Sequence, residues 1–224
     1  MDDSSDSPLL PALRPEDYPV VIPVYPLLAP LLLPGTVVPI VADEPRYQSL
    51  VEDAIHGDGF IGIIQPQKEM SGETEPVLFA VGCLGRIEEG RPENDDEYLV
   101  GGQIRFRVIE ELPPVHGYRR VRVDYSEFSE DPQLIEEGLE FSTLRDLARR
   151  QVEPINPDFD FSILEGMAGT EVATALAHNC AFSPAERQAL MEAPSLREIE
   201  GLLLLLMGGP GQAPTFDLPP LPVC

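Results

Sequence analysis

The sequence predicts an α+β protein: a small, closed or nearly closed β-barrel over residues 19–127, followed by a helical lobe over residues 131–207. Three observations predict it. Short apolar and β-branched runs, separated by turn residues, recur up to about residue 126, as in small all-β units. Within that half, apolar residues take helical spacing at only one place, Tyr47 to Ile55. Beyond residue 130 the apolar residues recur at helical intervals. The flanks, 1–18 (acidic, with Ser and Pro) and 208–224 (rich in Gly and Pro), read as disordered tails.

The most apolar stretch starts at Val20, and Pro23, Pro26, Pro30, Pro34 and Pro39 punctuate it. Prolines at that density leave too many backbone groups unpartnered for a membrane span or an interior helix. The prediction is a strand ending near Pro26, an irregular apolar crossing, a turn at Pro34-Gly35 and a strand from Thr36 to Val41. Pro before Gly in a turn centre is the type II pattern, which needs positive φ at Gly35. Pro45 suits the first turn of the helix that follows, and Gly57 suits its left-handed cap. Phe60–Gln65 and Val77–Ile87 read as strands. Tyr98–Val100 and Ile104–Val108 give another, a turn is expected at Leu112-Pro113-Pro114, and Tyr118–Val123 gives the next. In the second half, Ser183 with Glu186 and Ser195 with Glu198 have capping-box spacing. The run from Gly201 to Met207 is apolar all round, which predicts a sandwiched helix.

Composition bounds the function. Thirty-nine acids against 15 bases give a net charge of −24, and Lys68 is the one lysine. Such a surface repels phosphate backbones and anionic lipid, so neither nucleic acid nor membrane is an expected partner. Cys83, Cys180 and Cys224 show no CxxC pairing, which fits a reducing cytoplasm rather than a disulfide framework. The acidic MDDSSDSP start lacks the basic and apolar regions of an export signal.

Several motifs stand in a distinctive order: Tyr25-Pro26-Leu27, Leu33-Pro34-Gly35, Val38-Pro39-Ile40, Glu44-Pro45-Arg46-Tyr47, Phe60 to Ile64, Val81 to Ile87 and Gly102 to Val108. This series resembles the substrate-binding N-terminal domain of the ATP-dependent Lon protease family, over residues 20 to 207. The resemblance implies a PUA-like barrel, recognition of protein segments, unfolded ones included, and a stand-alone form without ATPase or protease modules. Leu27-Leu28-Ala29 departs from the family, where an aromatic and a polar residue often flank the first Pro-Leu.

The chemistry of a full Lon protease has no residues to carry it in this sequence. No GxxxxGK[ST] loop occurs, and Lys68 precedes Glu69 in a polar loop, a poor setting for a catalytic lysine. No zinc spacing or calcium-loop pattern appears, so no metal or other cofactor is expected. The reading is a non-catalytic protein-binding module, with Leu28, Leu31, Leu32, Arg46 and Tyr47 as candidate peptide-binding residues. Contiguous exposed leucines between 27 and 33 would form the interaction surface, unless they bury against the helical lobe. Two alternatives are a small hydrolase pairing Cys83 with His56 or His116, and RNA binding by Arg105, Arg107, Arg119, Arg120 and Arg122. Pairing of those arginines with acidic segments is the competing use.

Overall fold

The computed structural model describes residues 14–68, 75–88, 96–137, 141–152, 162–179 and 182–207. Most of the acidic run from Glu88 to Glu97, Cys180, Cys224 and the two tails except 14–18 lie outside the described residues.

Among the described residues six strands form one mixed sheet: β1 (Val21–Pro26), β2 (Val37–Val41), β3 (Phe60–Pro66), β4 (Leu78–Ile87), β5 (Glu97–Val115) and β6 (Tyr118–Asp124). Their order is β2-β5-β4-β3-β1-β6. Of these strands only β1 and β3 pair in parallel, Val24 opposite Gly62. β6 pairs with β1 and also with β5, so the neighbours β1, β3, β4, β5 and β6 lead back to β1. α1 (Pro45–His56) buries Tyr47, Leu50, Val51 and Ala54 against β1, β3 and β6. The helical part comprises α2 (Asp131–Glu137), α3 (Ser142–Val152), α4 (Ser162–Gly166), α5 (Gly169–Asn179), α6 (Pro184–Met191) and α7 (Ile199–Met207).

Local chemistry explains the boundaries. The Thr36 N–H donates to the Leu33 carbonyl at 3.1 Å across Pro34-Gly35, and Gly35 has φ 78°, as the type II turn requires. Ser183 and Glu186 form the reciprocal capping box that starts α6. Ser195 makes no such bond; a 3-10 turn over Leu196–Glu198 leads into α7 instead. The left-handed glycine after α1 is Gly59, φ 77°, whereas Gly57 stays at negative φ. Tyr18, counted above with the tail, is core: its ring lies 5.7 Å from both Phe60 and Tyr125. Leu112-Pro113-Pro114 is not a turn. β5 runs through it with a register shift that accommodates the missing N–H groups, and the chain reverses at His116-Gly117, both at positive φ. α7 is covered on one face only, burying Ile199, Leu203 and Met207 while Leu205 is 72% exposed.

Two positions join the helical part to the sheet. Ile135 of α2 packs over the turn at Gly35. Arg105 of β5 is fully buried, and its Nε and Nη2 donate to the two Asp131 carboxylate oxygens, each at 2.8 Å. Its Nη1 donates to the Met191 and Ala193 carbonyls that close α6, at 3.2 and 2.6 Å, and its guanidinium lies 4.3 Å from the Phe128 ring centre. A single side chain thus ties β5 to the start of α2 and the end of α6.

Candidate functional site

β4 and β5 remain paired only to Val81 opposite Arg107; β5 then continues with β6 as a hairpin arm. Where the strands part, a groove of about 700 Å³ opens. Val77, Leu78, Phe79, Val108 and Val121 make its apolar part, and Gln67, Glu75, Glu111 and Arg119 its polar part. The charges there are paired. Arg119 donates to both Glu111 oxygens at 2.7 Å and to the Pro76 carbonyl at 2.7 Å, which holds the 75–77 wall against β6. The hydrogen-bonded guanidinium keeps the Glu111 carboxyl below its ordinary pKa. Arg46 pairs with Glu75 from the α1 side and sits 2.8 Å from Glu44. At the arm's tip, His116 Nδ1 and the Tyr118 hydroxyl each lie 2.8 Å from Asp53 Oδ2 on α1, fixing the hairpin to that helix.

The sequence candidates fall in different places. Arg46 flanks the groove without lining it, and its guanidinium lies 4.7 Å from the Tyr47 ring centre. Tyr47 is buried, its ring 4.6 Å from Tyr25, and burial pushes its hydroxyl up to about 12. It anchors α1 rather than facing a ligand. Leu28 is half-buried, and its carbonyl accepts from Gln65 Nε2 at 3.0 Å. Leu31 and Leu32 are only 2% and 1% exposed, so an exposed leucine surface there is overturned. The cause lies on the sheet. Gly85 and Gly102 carry no side chain, so the crossing settles directly onto β4 and β5; a Cβ at Gly102 would strike the Leu33 carbonyl.

The two alternatives meet physical obstacles. Cys83 is fully buried, its sulfur 3.5 Å from the Leu84 carbonyl, and burial raises its thiol pKa far out of the nucleophile range. His56 and His116 are engaged with the Glu52 carbonyl and Asp53 instead. The five arginines do not form one cationic face: Arg105 is buried, Arg107 pairs with Glu127, Arg119 with Glu111 and Arg122 with Glu110, and Arg120 donates to the Pro113 carbonyl. Among the described residues no group of three His, Cys, Asp or Glu is placed to hold a metal, and no helix is long and apolar enough to cross a membrane. The groove itself carried no sequence motif. Its apolar residues read as ordinary strand residues, and only the departure of β4 from β5 makes a site of them.

Residues 21–207 match the family model of the ATP-dependent protease La (LON) substrate-binding domain. Lon protease 2 of Myxococcus xanthus is 29% identical over 201 residues, which take in 87% of this chain and 24% of that protein. The Lon protease of Anaeromyxobacter dehalogenans is 27% identical over 201 residues, with the same shares. The chain therefore spans about a quarter of the length of these curated relatives. Among solved structures, that of a Lon N-terminal domain protein from Xanthomonas campestris aligns with a TM-score of 0.57 at 22% identity, covering 83% of this chain and 97% of that one. The N-terminal domain of a Mycobacterium avium complex Lon protease aligns at 0.56 and 19%, covering 84% and 98%. At these identities the structural likeness bears on the fold.

Proposed function

Because the chain belongs to the ATP-dependent protease La (LON) substrate-binding domain family, we propose that it is a protein-binding module that takes up segments of polypeptide without cleaving them. The groove between β4 and the β5–β6 arm is the proposed site, and it is the observation that carries the reading. Its floor is apolar, its charges are internally neutralised, and its volume of about 700 Å³ lies in the range of binding clefts. An extended, uncharged segment would bury Val77, Phe79 and Val108 without stranding a charge. Arg46 acts here as a support for the Glu75 wall, and half-buried Leu28 remains a candidate contact. The cyclic strand pairing supports a PUA-like barrel as the scaffold. The buried free thiol of Cys83 is in keeping with a reducing cytoplasm. The net charge of −24 and the paired arginines speak against nucleic acid.

Fluorescence anisotropy with a short labelled peptide of alternating Val and Ser tests the proposal. Apolar burial is not screened by ions, so affinity should hold as the Debye length falls from about 10 Å toward 3 Å between 0.1 and 1 M salt. Val77 is 68% exposed, so Val77→Asp should leave the fold intact and weaken binding about tenfold, or about 1.4 kcal/mol. Failure of any apolar peptide to saturate the protein, or equal affinity in Val77→Asp, would overturn the assignment.

A further inference from the structure

We infer a second interaction surface, separate from the groove, on the outer face of β2 and the start of β5, shaped for an amphipathic helix whose apolar stripe is edged by Lys or Arg. Along β2 the side chains alternate: Val38 and Ile40 are buried, while Val37, Pro39 and Val41 face out. Leu99 lies opposite Pro39 in the antiparallel register. Val37, Val41 and Leu99 are 55%, 49% and 50% exposed, three large apolar side chains side by side in water. A contiguous apolar face of this kind marks an interaction site more often than a scattered one does.

The backbone decides how a partner can approach. The Gly102 N–H donates to the Thr36 carbonyl and the Ala42 N–H to the Asp96 carbonyl, which fixes the hydrogen-bonding phase of the β2–β5 pair. The main-chain groups of Val37, Pro39 and Val41 consequently point to the outer edge of β2. Pro39 has no N–H to offer there, and the Val41 carbonyl already accepts from the Tyr25 hydroxyl at 2.8 Å. An added strand would find the centre of that edge without a donor, so strand addition is blocked. Docking has to use the side-chain face. From Val37 to Val41 that face runs about 13 Å at 3.3 Å per residue, a little over two turns of helix at about 5.4 Å each.

Charge selects the occupant. Asp43 continues the outward-facing row beyond Val41, Asp96 lies opposite Ala42 through its backbone bond, and the Glu88 carboxylate lies over Gly101. Among the described residues Arg86 is the one base in the row, turned over the Phe60 ring at 5.7 Å. A second copy of the chain would set this acidic rim against its own like, and each copy carries −24. A helix with basic edges meets it with opposite charge.

The probe is a labelled amphipathic helical peptide of Leu and Lys, with a Leu–Glu peptide of the same pattern as its control, titrated against the full chain by anisotropy. The Leu–Lys peptide should bind saturably and lose affinity as salt is added, and the Leu–Glu peptide should not bind. The double substitution Val37→Asp with Leu99→Asp makes the surface more negative, so attraction by charge alone would strengthen. Docking on the apolar face predicts the opposite sign, a loss of about tenfold or more. Val77→Asp, which weakens the groove, should leave Leu–Lys binding unchanged. If circular dichroism shows the double Asp variant unfolded, Val37→Thr with Leu99→Thr reads the same loss in a strand-compatible form. Equal or tighter binding by the folded variants overturns the inference, and so does a dimer in sedimentation that these substitutions dissolve.

Discussion

Arg105→Met is the substitution whose cost the structure specifies most fully. Arg105 and Asp131 are 0% and 1% exposed, and the pair is bidentate at 2.8 Å. Methionine fills much the same space but leaves the Asp131 carboxylate buried without its cation. It also removes the donor shared by the Met191 and Ala193 carbonyls. Removing one partner of a buried ion pair costs about 3–5 kcal/mol, against a total stability of about 5–15 kcal/mol for a domain. Arg105→Lys should rescue little, because an ammonium is a point charge and cannot span a carboxylate and two carbonyls in one plane. The double variant Arg105→Met, Asp131→Leu should recover most of the loss but not all, since two carbonyls still lack a donor at about 1–3 kcal/mol. Urea unfolding followed by circular dichroism measures the change, and hydrogen exchange should show α2 and α6 loosening first. A single-variant loss under about 1 kcal/mol would refute the reasoning, and would mean that water reaches Asp131.

Three further outcomes follow from buried or paired groups. The Asp53 carboxyl is held low by hydrogen bonds from His116 and Tyr118, Glu111 by Arg119 and Glu127 by Arg107. Depressed folded-state pKa values mean stability that is present above the unfolded values and lost as pH falls below about 4.5; thermal melts should show that decline, and Glu111→Gln should flatten it. A melting temperature that holds level down to about pH 3 would contradict this. With Cys180 and Cys224 replaced by serine, a thiol reagent should label Cys83 only after denaturation, and rapid native labelling would mean the strand is open. Leu32→Ala should cost about 2–5 kcal/mol in denaturant unfolding, as for a filled core site; a loss near zero would return Leu32 to the surface.

At several places where one residue type dictates backbone shape, the sequence was legible. Pro34-Gly35 forces its turn, Pro45 opens α1 at the first position, and Ser183-Pro184-Ala185-Glu186 closes its own capping box. Apolar, β-branched runs found β1, β3 and β4, and alternation found β6, to within a residue or two. The misread turn at Leu112-Pro113-Pro114 shows the limit of that logic. Proline bars a central ladder, but β5 lies beside the register shift of a two-stranded arm, where the missing N–H groups have no partner to lose.

The site was less legible, because its residues acquire their roles from chain far away. Arg105 and Arg107 look alike in sequence and sit on the same side of one strand. Yet Arg105 is sealed under the carbonyls of Met191 and Ala193, 86 and 88 residues on, whereas Arg107 stays near the surface with Glu127. The leucines from 31 to 33 follow the same rule: what buries them is the absence of side chains at Gly85 and Gly102, more than fifty residues downstream. Once they are core, the apolar surface open to a partner shifts to residues that pattern assigns to ordinary strands. Val77 and Phe79 are left by the parting of β4 from β5, and Val37, Val41 and Leu99 by an edge that Pro39 closes to pairing. One surface has its charges paired off and the other has an acidic rim, so added salt separates them: it should spare binding to the first and weaken binding to the second.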